Sequence, residues 1–431
     1  MNVMELYRSK LISIEEAVSK VKSGQSIVTA MAAAQPPGLL RALASRKDEL
    51  RDVTVMSCLL LEDYDFLKPE MRGHFLNEAW YYGPCSYRAH PGGTVTFMPN
   101  HLNECGVKKA ANDPPDIYWG TATPPDRHGY MSLSLSLTYE KAMLKAAKQV
   151  VLEINENLPR TLGDTHIHIS QVDHVVENTV PLKEVPPIQP TEVEMEIGRL
   201  VASLIEDGST IQLGIGGIPN AVTACLMEKN DLGVHTEMIT DGMADLYNAG
   251  VITGKCKTLW PEKMIGTFVL GTRRLYDFID DNPGVELHGG DVVNDPWIVG
   301  RNHKMVSINT TLQVDLTGQA NSETLGTMQY SGGGGALNTC MGAQMSPGGK
   351  SILALRSTAK NGTISTIVPA FFDGQVVTVP RADVDYVVTE YGIARLKSMN
   401  IRKRVEALIS IAHPDFRDWL WSEARRLQYV F

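Results

Sequence analysis

Short apolar runs rich in Val and Ile recur along this chain and alternate with stretches of helical spacing. In the first half they fall at 26–32, 53–59, 116–122 and 149–155. In the second half they fall at 210–215, 304–309, 351–355, 363–369, 375–379 and 384–390. Runs this short and this continuously apolar predict strands buried on both faces, with helices between them. The fold class predicted is therefore α/β with mainly parallel sheets.

The pattern breaks at Pro181, Pro186, Pro187 and Pro190, which predict a linker, and Thr191 is placed to cap the helix that follows. The expected organisation is a domain over 1–182, a linker over 183–191 and a second domain over 192–431. The two halves echo each other. "AVSKVKSGQSIVTAMAAAQPPGLLRAL" and "RLVASLIEDGSTIQLGIGGIPNAVTACL" both read as helix, Gly turn, strand, small-residue turn, helix. Gly24 falls on Gly208, Ile27 on Ile211 and Met31 on Ile215, a constant offset of 184. We read a duplicated pair of open α/β domains. The copies have diverged where it matters. Ala32 and Ala33 stand where the second copy has Gly216 and Gly217, and, allowing one residue of gap, Val55 or Met56 stands where it has Glu237.

Composition changes this picture little. At 431 residues the length fits two or three domains, and 43% hydrophobic with 21% charged residues is ordinary for a soluble protein. A net charge of −9 argues against broad nucleic-acid binding. Cys58, Cys85, Cys105, Cys225, Cys256 and Cys340 form no CxxC pair, so reduced thiols in a cytoplasmic protein are expected. The N-terminal stretch has acids and no apolar core of a signal peptide, and no run reaches a membrane-spanning length.

Candidate chemistry concentrates in the second half. "IQLGIGGIPNA" (211–221) follows a strand and opens a helix. Taken alone it is either a tight βα turn or a cradle whose N–H groups receive anionic oxygen. It is neither the dinucleotide nor the P-loop glycine pattern. "LGVHTEMITDG" (232–242) then places Glu237 close by, either as a solvated or paired carboxylate or as a nucleophile toward an activated acyl group. In the second case Gly216 and Gly217 can supply the oxyanion site. The glycines at 332–335 can wrap a phosphate or pantetheine chain or form a surface loop, and Lys350 is a possible phosphate partner. Glu390 and Tyr391 end a predicted strand, where ligands meet open α/β sheets. His413 before Pro414 reads as a structural turn. His166 and His168 read as a strand pair, and no metal site is expected.

"IQLGIGGIP", "LGVHTEMITDG", "MQYSGGGG", "DYVVTEYGIARL" and "AHPDF" together resemble the acetyl-CoA hydrolase/transferase family, in order and over nearly the whole chain. The resemblance is nearest to 4-hydroxybutyrate and butyryl-CoA:acetate CoA-transferases. It implies a NagB/RpiA/CoA-transferase-like fold of two similar domains with the active site between them. It implies ping-pong transfer of CoA through a glutamyl-CoA thioester on Glu237, with CoA as substrate and no tightly bound cofactor. Gly214, Ile215, Gly216, Gly217 and Ile218 match the family's CoA turn and oxyanion site. Leu312, Gly335 and Lys350 match further CoA contacts, and Met31, Gln212 and Tyr391 the substrate pocket. A homodimer or homotetramer is implied as well.

Two departures bear on the substrate. "GGALNT" (334–339) replaces the family's usual "GGQVDF", and Met31 stands where 4-hydroxybutyrate members often carry a His. The expected acid is therefore left among 4-hydroxybutyrate, butyrate, other short-chain acids and dicarboxylates such as itaconate. Two other readings stay open: an acyl-CoA hydrolase on the same framework, and a CoA-binding protein without catalysis.

Overall fold

The computed structural model describes residues 2–431. The chain forms two compact units, and each draws on more than one stretch of sequence. The first takes the chain up to Val185 together with Ile265–Val293 and Tyr330–Gly334. The second takes Pro186–Met264, Asn294–Gln329 and Gly335–Phe431. The proline-rich stretch meets the first of these boundaries, and residues 186–190 have no regular structure.

The first unit is built on seven strands: β1 (Ser26–Thr29), β2 (Val53–Ser57), β3 (Phe75–Ala79), β4 (Val95–Phe97), β5 (Ile117–Ala122), β6 (Gln149–Ile154) and β7 (His174–Glu177). They lie in the order β7-β6-β5-β1-β2-β3-β4 and every neighbouring pair is parallel. All six residues of β5 are buried, the mark of a strand covered on both faces. Helix α1 (Ile14–Ser19) is capped by Ser13, whose hydroxyl accepts from the Glu16 N–H. Helix α2 (Pro37–Leu43) lays Leu39, Leu40 and Leu43 against Ile27, Val55 and Ile117. Each of those leucines is fully buried, which contributes about 1.5–3 kcal/mol apiece.

The second unit carries α3 (Glu192–Ser203), β8 (Thr210–Leu213), α4 (Gly217–Cys225), β9 (Gly233–Val234), α5 (Pro296–Val299), β10 (Met305–Thr310), α6 (Ala336–Met345), β11 (Lys350–Ala354), β12 (Tyr386–Thr389) and β13 (Gly392–Arg395). The strand order is β9-β8-β10-β11-β12-β13, parallel throughout except for the β12–β13 hairpin. Thr191 caps α3 in a reciprocal box with Glu194. α3 crosses α4 closely because Gly198 has no side chain; a Cβ there would lie 2.7 Å from the Ala221 carbonyl carbon. Among the described residues no helix is long and apolar enough to cross a membrane.

The offset of 184 seen in the sequence is a structural one. It carries β1 onto β8 end for end, and the last residue of α1 onto the last residue of α3. Gly24 and Gly208 turn with φ of +75° and +74°. Strands β6-β5-β1-β2 of one sheet follow the order of β11-β10-β8-β9 in the other. The expected partner of Glu237 needs correction. Sheet register pairs Ile27 with Val55 and Ile211 with Val234. Val55 therefore matches Val234, and Cys58, not Val55 or Met56, stands where Glu237 does. The first half has five more residues between its paired strands, so a one-residue gap misaligned them.

Two predicted strands are not in the central sheets. Ile364–Ser365 and Ile367–Val368 make separate two-residue pairings, and 375–379 makes only an isolated bridge, Ala320 to Val379. Ile367 and Val379 are fully buried in the second unit's core all the same. Their apolar pattern reports that burial, which a side layer satisfies as well as a central strand.

Candidate active site

In open parallel sheets the loops after the strand ends carry ligands. β9 continues into His235, whose N–H donates to the Ile211 carbonyl at 3.1 Å. The Thr236 hydroxyl lies 3.2 Å from the Leu213 carbonyl, which ties the loop to the end of β8. Glu237 comes next.

Two groups from distant parts of the same unit donate to Glu237. Asn294 Nδ2 lies 3.2 Å from Oε2, and the Gly335 N–H donates to the carboxylate as well. Asn294 is fully buried and immediately precedes Asp295, which caps α5 through the Trp297 N–H. Gly335 is the N-cap residue of α6. A Cβ on Gly335 would collide with both the Asn294 amide and the Glu237 carboxylate. Only glycine allows this backbone to come so close.

Glu237 as a residue keeps partial solvent exposure, yet protein surrounds its carboxylate. Desolvation pushes its pKa up to about 7, against the opposing pull of the Asn294 and Gly335 hydrogen bonds. With a pKa of about 7 such a group is part acid and part anion at neutral pH, with little water around it.

The glycine turn leaves β8 through Gly214 and the exposed Ile215. Gly216 has φ +119° and ψ 179°, a region open to glycine alone. No side chain caps α4. A carboxylate does lie against this turn, but it is that of Glu194. It occupies the space a Gly217 side chain would need, and it is held at 2.9 Å by the Thr191 N–H and at 3.0 Å by the Thr191 hydroxyl.

The other predicted residues divide. Leu312 follows the C-terminal end of β10, and Tyr391 the C-terminal end of β12. Gln212 is buried within β8, its amide 3.4 Å from Asn309 Oδ1. Met31 belongs to the first unit, buried, with its N–H 3.0 Å from Glu140 Oε1. Lys350 is not brought to these strand ends. It opens β11 at the N-terminal ends of the parallel strands, level with Val306, and pairs with Glu206 at 2.9 Å. Its place in the sequence, just before a strand, puts it at the wrong end of a parallel strand. Glu390 is engaged by Ser357, through its N–H at 2.9 Å and its hydroxyl at 2.6 Å. His413, read from the sequence as a structural turn, is the N-cap of the helix Pro414–Arg426. Asn294 was not among the sequence candidates, because "NDPW" reads only as a helix start.

Comparison with known proteins bears on this arrangement. The model of the acetyl-CoA hydrolase/transferase N-terminal domain matches residues 1–186, and that of the C-terminal domain matches residues 271–424. A 4-hydroxybutyrate coenzyme A transferase of Clostridium kluyveri is 44% identical, over 98% of this chain and 99% of its own. The crystal structure of RipA from Yersinia pestis superposes with a TM-score of 0.95 at 37% identity, with both chains fully covered. An acetyl-CoA hydrolase of Kluyveromyces lactis is 31% identical over 52% of this chain and 42% of its own. With both domain models matched in order and relatives aligned end to end, this chain is a member of the acetyl-CoA hydrolase/transferase family.

Proposed function

We propose that the protein is an acyl-CoA:carboxylate CoA-transferase in which Glu237 is the nucleophile. The observation that carries this reading is the protein-enclosed Glu237 carboxylate, met by the Asn294 amide and the Gly335 N–H. A Glu237 oxygen attacks the thioester carbonyl; the C–S bond breaks, leaving an acyl-glutamyl anhydride and CoA thiolate. The thiolate attacks the glutamyl carbonyl, and the first acid departs as its carboxylate. A second carboxylate attacks the resulting glutamyl-CoA thioester, and the same steps run in reverse. Each step exchanges one acyl bond for another, so electrons and protons balance without a co-reactant.

The negative charge that develops on the carbonyl oxygen needs fixed donors. We assign this to the N–H groups of Gly216 and Gly217 at the uncapped start of α4. CoA is assigned to the turn from Gly214 to Ile218, to Leu312 and to Gly335, with Lys350 left out because it lies at the N-terminal ends of the parallel strands. The acid is assigned to the range from butyrate and 4-hydroxybutyrate to itaconate, near Gln212 and Tyr391 of the second unit. Family likeness further supports a cytoplasmic homodimer or homotetramer.

Kinetics of Glu237→Ala and Glu237→Gln test the proposal. Both variants should lose transfer while still binding CoA. Retention of wild-type turnover in either would remove Glu237 from the reaction. Turnover that needs an acceptor acid marks a transferase, and turnover that ignores one marks a hydrolase.

A further inference from the structure

The first unit holds a cavity that the Glu237 chemistry does not use. Its volume is about 350 Å³, and every lining residue belongs to that unit. Cavities of this size suit small ligands. One wall is the turn after β1, formed by Ala32, Ala33, Gln35 and Pro37. Met31 itself is buried and does not line it.

This wall is preformed. The Glu140 carboxylate accepts the Met31 N–H at 3.0 Å. The Glu153 carboxylate accepts the N–H groups of Gly38 and Leu39 at 3.2 and 3.1 Å. Between these two anchors Ala32 is held at φ +49°, a conformation alanine rarely adopts.

The lining sorts by chemistry. Leu61, Tyr64, Leu158 and Pro181 supply apolar surface. Gln35, Thr121 and Asn155 are buried polar residues whose side chains already donate within the protein, to Cys58 and Leu59, to Ala34, and to Val180. The charged residues of the lining are two cations, Arg41 and Lys183, each about half exposed. Both pair with one acid outside the lining, Glu62: Arg41 through contacts of 2.6 and 2.8 Å, Lys183 at 3.1 Å. Glu62 thus partners both cations, and the buried Glu153 carboxylate behind the wall also lies within electrostatic reach of Arg41.

We propose that this cavity binds a small monocarboxylic acid, with its short apolar chain against Leu61, Tyr64 and Leu158 and its carboxylate on Arg41 and Lys183. The apolar walls favour a carboxylate that carries a chain over a bare inorganic anion. Two cations held together on Glu62 beside these apolar walls match a single carboxylate headgroup. An occupant braces the turn that follows Met31.

The test is a ¹⁹F NMR titration of the full-length protein with 4,4,4-trifluorobutyrate, in the absence of CoA. Arg41→Gln with Lys183→Gln should weaken binding about two- to fivefold per charge removed, and Glu62→Gln should tighten it by a similar factor. Opposite signs from three surface changes cannot come from misfolding. Equal affinity in all variants, or weakening in both directions of charge change, would overturn the proposal. Inorganic phosphate displacing the probe as effectively as butyrate does would overturn the carboxylic-acid assignment.

Discussion

Glu237 stands out in the sequence, and so does Gly335 within its glycine run, whereas Asn294, the other group that donates to the carboxylate, does not. A carboxylate beside a glycine-rich turn stands out against its neighbours, whereas Asn294 sits in a stretch that reads as a helix cap, and Asp295 does cap α5. What makes Asn294 matter is its position in space, 3.2 Å from Oε2 across 57 residues of chain. Two predictions belong at this scale. Attack needs the carboxylate, so the transfer rate should climb as pH rises toward about 7 and level above it. Asn294→Ala removes a hydrogen bond that favours the charged form, so the acid limb should move to higher pH; a limb that stays in place would contradict the assigned contact. The same shift has a cost in stability. A carboxyl raised from 4.5 to about 7 in the folded state holds its proton longer than in the unfolded chain. Stability is then fully present below about pH 4.5 and declines as pH rises to about 7. Glu237→Gln escapes that decline and should be more stable than wild type at pH 8 by about 1–3 kcal/mol, with little difference at pH 4. Thermal unfolding at the two pH values checks this.

Among the elements, the central strands were readable because both faces are buried and their apolar runs are unbroken, as in β5. β3, with alternating burial and an Asn and a Glu in "FLNEA", and the short edge strands β4 and β9 carry no such run. They are strands because a neighbour supplies their hydrogen bonds, which local sequence does not record. The helix starts depend on two glycines for different reasons. Gly335 needs its missing side chain for close approach, and Gly216 needs its backbone angle. Gly335→Ala should push Asn294 and Glu237 apart and cut turnover by about 10²-fold or more, in protein that keeps its fold by circular dichroism. Turnover within a few-fold of wild type would show that this approach is not part of the chemistry. Gly216→Ala should cost about 1–3 kcal/mol of stability from backbone strain alone, measured by denaturant unfolding.

For the whole molecule, the duplication was legible because a constant offset of 184 survives in glycine turns and strand ends. Alignment failed beyond the first strand, where a connection five residues longer hides the match of Cys58 to Glu237. The discontinuity of the units was also hidden. Residues 265–293 and 330–334 join the first unit with no change of composition to announce it. The two copies have thus kept one sheet order and differ at the strand ends. The first has Ala32, Ala33 and Cys58 where the second has Gly216, Gly217 and Glu237. This difference confines the proposed covalent chemistry to one copy. Placing glutamate at Cys58 in Glu237→Ala protein should therefore restore no transfer, because the first copy lacks the glycine turn; recovery of turnover in Cys58→Glu/Glu237→Ala would refute that confinement.

The most direct test of the central claim is peptide mass analysis after incubation with butyryl-CoA and then borohydride. The glutamyl-CoA thioester should be reduced, converting the Glu237 carboxyl to a primary alcohol on that peptide alone. An unmodified Glu237 in protein shown to bind CoA, or reduction at another carboxylate, would contradict it.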